Sequence, residues 1–216
     1  MEQWTFDDPK IVKHFDNHIR SHLPWYDQMQ EAVAYLIKNY LPQNGSIVDF
    51  GASTGNLIEK ILPTVIERNA GITAIDNSYD MIRWIESRFN SELKGGIIQV
   101  RHTPSPDFHD VHVACLVLSF LPVNERQIMI DSMIKKTTKA LIIVDKIIDH
   151  DGYLAAVLRR LTMQMKINAG VGYEDALKKE MALAGVQIPL DPRMLGEDAK
   201  QFFRMGEFAG WIIEKE

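Results

Sequence analysis

Residues 46–56 read "SIVDFGASTGN", and two templates fit the stretch. As G-x-S-x-G it is the nucleophile elbow of an α/β-hydrolase, with Ser53 as the attacking group. As an apolar strand carrying Asp49 into a glycine-bearing turn before a helix, it is a loop that cradles a nucleotide-like cofactor. An elbow needs several strands before it, an oxyanion loop of the HGG type upstream, and an Asp and a His following in chain order. The segment before Ser53 reads as helix and contains no HGG, and the last histidine, His150, directly follows Asp149 and precedes further helices. The cofactor template asks for an acid at the end of the next strand to hold ribose hydroxyls. Asp76 in "ITAIDNS" meets that demand, so the cofactor reading prevails.

The loop also discriminates among cofactors. A dinucleotide site wants G-x-G-x-x-G so that backbone can approach a pyrophosphate. Here Ser53 stands between Gly51 and Gly55, and Asn56 begins the helix, so the pyrophosphate subsite is poorly made. A ligand with a ribose and no pyrophosphate fits better, and S-adenosylmethionine is the commonest such ligand on this fold. Asp49 and the Gly51 carbonyl would face its ammonium, Asp76 its ribose hydroxyls, and Asn77 with Met81 its adenine. Ala52, Ser53 and Gly55 complete the loop. The competing reading makes Asp49 and Asp76 mere capping carboxylates at strand ends.

Working outward, short β-branched runs ("GITAID", "GIIQVRH", "VHVACLVLSF", "KALIIVDK") alternate with segments of helical period, which predicts βαβ units and a parallel sheet covered on both faces. Ser78 is placed to cap the helix after "AID", with Met81, Ile82, Ile85 and Phe89 on one face. Pro63 predicts a kink or break in "NLIEKILPTVIERN". At 216 residues and 46% hydrophobic side chains, one domain with decorations is expected. Its parts are a helical cap over 1–45, a cofactor-binding core over 46–150, a helical lid or dimer region over 151–195, and a closing hairpin over 196–216, turning near Gly206 to Gly210. The lone Cys115 excludes a disulfide framework, and no run is long enough to span a bilayer, so a soluble protein of the reducing cytoplasm is expected. A net charge of −5 argues against a generic nucleic-acid coat.

The runs "WTFDDPKIVKHFD", "IVDFGASTGN", "ITAIDNSYDMI", "LVLSFLPVNERQIMIDSM" and "NAGVGYEDALKKEMAL" resemble the carboxy-S-adenosylmethionine synthases, a family of the uridine-5-oxyacetic acid tRNA pathway long described as tRNA methyltransferases. The resemblance implies a Rossmann-like α/β fold of the class I methyltransferase type, a mostly parallel seven-stranded sheet with a C-terminal antiparallel hairpin and added helices. It implies S-adenosylmethionine or its carboxylated form as cofactor, a link to tRNA wobble-uridine modification with RNA as a candidate acceptor, and a homodimer. It places Tyr26, Gly51, Asp76, Asn77 and Ser119 at cofactor contacts. Three departures stand out. "RHTPSPDFHD" replaces the Gly-Asp after strand three, so the carboxylate for the adenine amino group is missing or displaced to Asp107; Ser119 replaces an asparagine; and Glu180 falls where the family's arginine grips the added carboxylate. An acid facing an acid disfavours the carboxylated ligand, with Lys178 and Lys179 as the residues able to compensate. Methyl transfer from plain S-adenosylmethionine is therefore the leading expectation, with the synthase activity second and a binding protein without catalysis third.

Other clusters carry blander expectations. His14, His18 and His22 stand at helical spacing, yet no HExxH accompanies them, so a polar, partly exposed stripe is expected in place of a metal site. Arg159, Arg160, Lys166, Lys178, Lys179, Arg193, Lys200 and Arg204 are expected on a solvated face, and Met163, Met165, Met181, Met194 and Met205 in core filling. No D/N-P-P-Y motif occurs, "LSFLP" standing in that place, which is permissive for an oxygen or carboxylate acceptor. No residue is assigned a catalytic role.

Overall fold

A computed structural model of the chain describes residues 9–104 and 106–215. The opening residues of "WTFDDPKIVKHFD" lie outside the described residues. Two helices, α1 (Pro9–His22) and α2 (Tyr26–Tyr40), precede the core. The core runs β1 (Ser46–Phe50), α3 (Asn56–Glu67), β2 (Gly71–Ile75), α4 (Tyr79–Arg88), α5 (Asn90–Lys94), β3 (Ile98–Arg101), β4 (His109–Cys115), α6 (Val123–Lys136) and β5 (Thr137–Lys146). Then follow α7 (Gly152–Asn168), α8 (Tyr173–Ala182), β6 (Lys200–Met205) and β7 (Phe208–Glu214).

The seven strands form one sheet in the order β3-β2-β1-β4-β5-β7-β6. β1 to β5 pair in parallel, and β7 runs antiparallel to β5 and β6. Strand residues alternate between two apolar layers, as period-2 side chains must. Ile47, Ile72, Val113 and Ile142 face the layer of α2, α3 and α4, while Val48, Ile75, Ala114 and Ile143 face α6 and the turn at Leu190–Leu195. Burial on both faces explains why these strands read as continuous apolar runs.

Connections leave β1 toward β2 on one side and β4 lies on the other, so a crevice opens at the carboxyl ends of β1 and β4, where open α/β sheets bind ligands. The Ser78 hydroxyl accepts from the Met81 N–H at 3.3 Å, the expected cap. Three boundaries differ from expectation. α3 runs unbroken through Pro63, which sits on the helix's exposed side where water can satisfy the carbonyl that its ring leaves without an N–H. β4 stops at Cys115, because Leu116 turns into the left-handed region (φ 61°) and Leu118–Phe120 forms a single 3-10 turn. The hairpin turns at Gly206 and Glu207, and Gly210 lies inside β7, where a Cβ would meet Phe202 at 2.8 Å.

Gly51 shows how tightly the crevice is built. Its φ is +68°, and a Cβ there would stand 2.1 Å from Val117 Cγ2. Gly51→Ala is predicted to lower stability in urea melts by about 2–4 kcal/mol, the sum of left-handed strain and overpacking. Adding Val117→Ala should recover the packing part and leave the strain.

Candidate functional site

A cavity of about 480 Å³ occupies the crevice, roofed by α1, α2, α7 and α8. One end is built on the turns after β1 and β2. Gly51 and Ala52 both donate their N–H to the Ile75 carbonyl, at 2.8 and 3.0 Å, which draws the glycine turn onto the end of β2. The Asp76 carboxylate then ties the two turns together: Oδ2 accepts from Ser53 N–H at 2.8 Å and Oδ1 from Ser78 N–H at 2.9 Å. The same carboxylate-bearing residue lines the cavity. Asp76 therefore holds two turns together at the wall of the cavity.

Asp49 is 3% exposed on β1 and lines the same end. Burial, and then the charge of Asp76, raise its carboxyl to about 7. Such a group gains from a cation placed against it. Ser53 is held at φ 52°, and its hydroxyl hydrogen-bonds Met81 Sδ at 3.6 Å rather than any histidine, which suits a loop contact and not an activated nucleophile.

Of the expected cofactor residues, Tyr26, Asp49, Gly51, Ala52, Ser53, Asp76, Asn77 and Met81 line the cavity together. Gly55 does not line it: at φ 80° it starts α3, and a Cβ would lie 2.5 Å from Phe89. Ser119 does not line it either. It is fully buried, with its N–H on Asp145 Oδ2 (3.0 Å) and its carbonyl receiving Arg126 Nη2 (3.0 Å). Arg126, 2% exposed, also reaches the carbonyls of Leu121 and Pro189, so the L-P-x-x-E-R run is a structural clamp. After β3, His102 and Pro104 reach the cavity, with the Tyr79 ring tilted against that of His102 at a centroid distance of 4.1 Å, whereas Asp107 is exposed outside it.

Asp16 on α1 was missed by sequence reasoning. It accepts from Thr54 Oγ1 at 2.6 Å and Asn56 Nδ2 at 2.8 Å, and Arg88 braces the same loop through the Thr54 carbonyl at 2.9 Å. Asn56 also reaches the Tyr26 hydroxyl at 3.4 Å. Nothing in the local pattern of α1 marks Asp16, because its partners are 38 and 40 residues away.

The other end of the cavity is cationic. Lys146, Lys166 and Lys179 line it with Glu180, Gln187, Gln30 and His22. Glu180 Oε1 takes Lys166 Nζ at 2.8 Å and Oε2 takes Lys146 Nζ at 3.5 Å, while Glu207 stands 4.0 Å from Lys146. Burial works to raise the Glu180 carboxyl, but Lys146 and Lys166 outweigh it and hold the group below its usual value. The acid against an acid foreseen at Glu180 is thus corrected: its charge is already neutralised. Gln30 Oε1 and His22 Nδ1 are buried with no hydrogen-bond partner within the described protein. Atoms of that kind in a cavity wall are satisfied by ordered water or by a ligand.

The histidine stripe is partly corrected too: His14 is exposed, but His22 is buried and faces the cavity, its ring 4.5 Å from that of His18. Among the described residues no cluster of three His, Cys, Asp or Glu is arranged to hold a metal. Lys166 and Lys179 turn inward, while Arg159, Arg160 and Lys178 stay on the solvated face. Met165 and Met205 pack on one core layer and Met194 on the other, but Met181 is exposed.

No protein-family model matches the chain. Curated relatives do. A carboxy-S-adenosyl-L-methionine synthase of Staphylococcus epidermidis is 26% identical over 99% of this chain and 97% of its own length. One of the same name from Campylobacter jejuni is 27% identical over 87% of this chain and 80% of its own length. Among solved structures, an O-methyltransferase family protein from Burkholderia thailandensis superposes with TM-score 0.64 at 14% identity, over 97% of this chain and 60% of that one. The magnesium protoporphyrin IX methyltransferase of Synechocystis PCC 6803, with bound SAH, gives 0.59 at 16% identity over 100% and 90%. The fold is that of the class I S-adenosylmethionine-dependent methyltransferases, and the resemblance to the carboxy-S-adenosyl-L-methionine synthases runs the length of the chain.

Asp49 yields a pH prediction. Its carboxyl titrates near 7 in the folded chain against 3.8 for an ordinary Asp, so the native state holds that proton more tightly and Asp49 costs stability progressively as pH rises from about 4 to about 7. Asp49→Asn should gain stability relative to wild type across that window, by on the order of a few kcal/mol at its upper end. Urea melts of both proteins at several pH values check this, and a constant difference refutes it.

Proposed function

We propose that the chain is an S-adenosylmethionine-dependent transferase whose second ligand group is a small carboxylate held at the lysine end of the cavity, with synthesis of the carboxylated cofactor as the favoured reaction. The observation that carries this reading is the set of lysines 146, 166 and 179 around Glu180, on the β5 side of the crevice and opposite Asp76. The names of the curated relatives point the same way.

The residues present fit S-adenosylmethionine. Asp76 offers acceptor capacity for ribose hydroxyls, Asp49 faces the same end with a carboxyl that a cation would ionise, and Asn77, Met81 and His102 stand at the adenine side. The cofactor would supply an activated one-carbon group on a sulfonium. The protein's own contribution is orientation and exclusion of water: the Asp16 contacts hold α1 over the glycine turn, and Leu23, Leu183, Val186 and Phe208 keep the middle of the cavity apolar. Lys166 and Lys179 offer ammonium donors to a carboxylate. Methyl transfer to a small acid is the second reading, favoured by the methyltransferase names of the structural neighbours and served by the same two ends. The link to tRNA wobble-uridine modification would enter only through the carboxylated product.

Mass spectrometry of the small molecule released from purified protein tests the reading, with the carboxylated cofactor as the expected species. Calorimetry should show Asp76→Ala weakening cofactor binding by about 2 kcal/mol, the scale of a charge-assisted contact. Some loss of stability is expected too, since two turn amides lose their acceptor. Lys178→Ala should leave the preference between plain and carboxylated cofactor unchanged, because that side chain is 74% exposed and faces Glu174 and Asp175. Glu180→Arg would set a third cation between Lys146 and Lys166, so it is expected to loosen α8 rather than to tune selectivity.

A homodimer is proposed on the resemblance and on two exposed apolar stripes at i, i+4, i+8 spacing: Tyr153, Val157 and Leu161 on α7, and Tyr173, Leu177 and Met181 on α8. Light scattering should give twice 24.7 kDa, and Leu161→Glu should give the monomer.

A further inference from the structure

Asp16 on α1, Tyr26 on α2, Asn56 on α3 and Arg88 on α4 meet beside the glycine turn. Tyr26 and Asn56 line the cavity and are 7% and 5% exposed. The Asn56 amide has one orientation there. Its nitrogen donates to Asp16 Oδ1 at 2.8 Å and to the Tyr26 hydroxyl at 3.4 Å, while its oxygen accepts from Arg88 Nη1 at 3.3 Å. Turning the amide over would set its oxygen against the Asp16 carboxylate and its nitrogen against the guanidinium, so charge opposes it on both sides. The Tyr26 oxygen is therefore the acceptor toward Asn56. A phenol O–H lies near the ring plane and has two positions; with the Asn56 side taken, the hydrogen is left for a partner in the cavity. Among the described residues it has no acceptor. Burial raises this hydroxyl well above its usual range, so it keeps its hydrogen.

We infer that Asp16 and Arg88 are positioning residues: by fixing the Asn56 amide they make Tyr26 a hydrogen-bond donor to the amino-acid carboxylate that plain S-adenosylmethionine carries. The inference rests on the cofactor placement proposed above. Asp49, whose charge acts on Tyr26, is the partner for the ammonium on the same carbon of the ligand. Asn56 also opens α3, where the helix dipole favours a carboxylate. Neither Asp16 nor Arg88 lines the cavity, so each acts on the ligand through Asn56 and the turn it braces.

Calorimetric titration of the full chain with S-adenosylmethionine and with decarboxylated S-adenosylmethionine, which lacks that carboxylate, gives a ratio of affinities that reads the contact. Wild type should prefer the plain cofactor by roughly tenfold or more, the scale of a hydrogen bond to a charged group, and Tyr26→Phe should lower the ratio by about the same factor. Exchanging the pair, Asp16→Asn with Asn56→Asp, keeps charge and volume yet offers Tyr26 an acceptor at position 56, so its hydrogen turns away from the ligand. The ratio should fall to the Tyr26→Phe level. Repeated in the Tyr26→Phe background, the exchange should leave the ratio unchanged, which separates loss of the donor from direct repulsion by the moved charge. Asp16→Ala releases the amide without adding an acid; it should lower the ratio part of the way under the same rule, and it carries the test if the exchange unfolds the chain. An equal ratio in wild type and Tyr26→Phe, no fall with either Asp16 variant, or equal falls in both backgrounds overturns the inference and leaves the proposed function standing. Failure of wild type to bind either cofactor overturns both.

Discussion

The site depends on one carboxylate. Asp76 directly follows β2 and receives the backbone N–H groups of Ser53 and Ser78, so a single side chain joins the turn after β1 to the turn that starts α4. Charge-assisted bonds from backbone amides are short and directional. One of them supports Ser53 at φ 52°, a left-handed conformation that costs a non-glycine residue energy. Everything that approaches the cavity from this side, including Asn77, Met81 and Tyr79 with its His102 partner, is placed relative to that junction.

The opposite end follows another rule. Buried ions are costly unless each meets opposite charge at good geometry. Glu180 meets this condition by bridging Lys166 and Lys146, which locks α7 and α8 to the end of β5. The bridge turns an acid that would repel an anionic ligand into part of a cationic wall. Arg126 solves the same problem differently, spending its guanidinium on three backbone carbonyls and fixing the turn after β4 to Pro189. The two ends thus differ in kind, one acidic and suited to a sulfonium and a ribose, the other basic and suited to an acid, with an apolar middle between them.

α1 closes the space through Asp16, Thr54, Asn56 and Tyr26, a polar network between helix and glycine turn. A ligand that leans on the glycine turn and one that leans on His18 and Lys179 would feel the same helix, since Asp16 and His18 lie two residues apart on it.

Much was legible without coordinates. The parallel sheet followed from β-branched runs at strand length alternating with helical periods, because both signals are local and read directly from side-chain spacing. That the residues around Gly51 and Asp76 would come together was legible too, since the apolar strand, Gly51 turn and Asp76 after the next strand are a fixed-spacing pattern, and the helix cap at Ser78 is visible within four residues. Only the tertiary structure decided what depends on partners distant in sequence. Pro63 is tolerated because its side of α3 faces water, Gly55 serves packing, Ser119 is tied by its backbone to Asp145 and Arg126, Asp16 holds a loop from some 40 residues away, and Glu180 is neutralised by lysines 14 and 34 residues before it. The charge of a buried group is set by neighbours that the fold brings within a few ångströms, and spacing along the chain carries no trace of them.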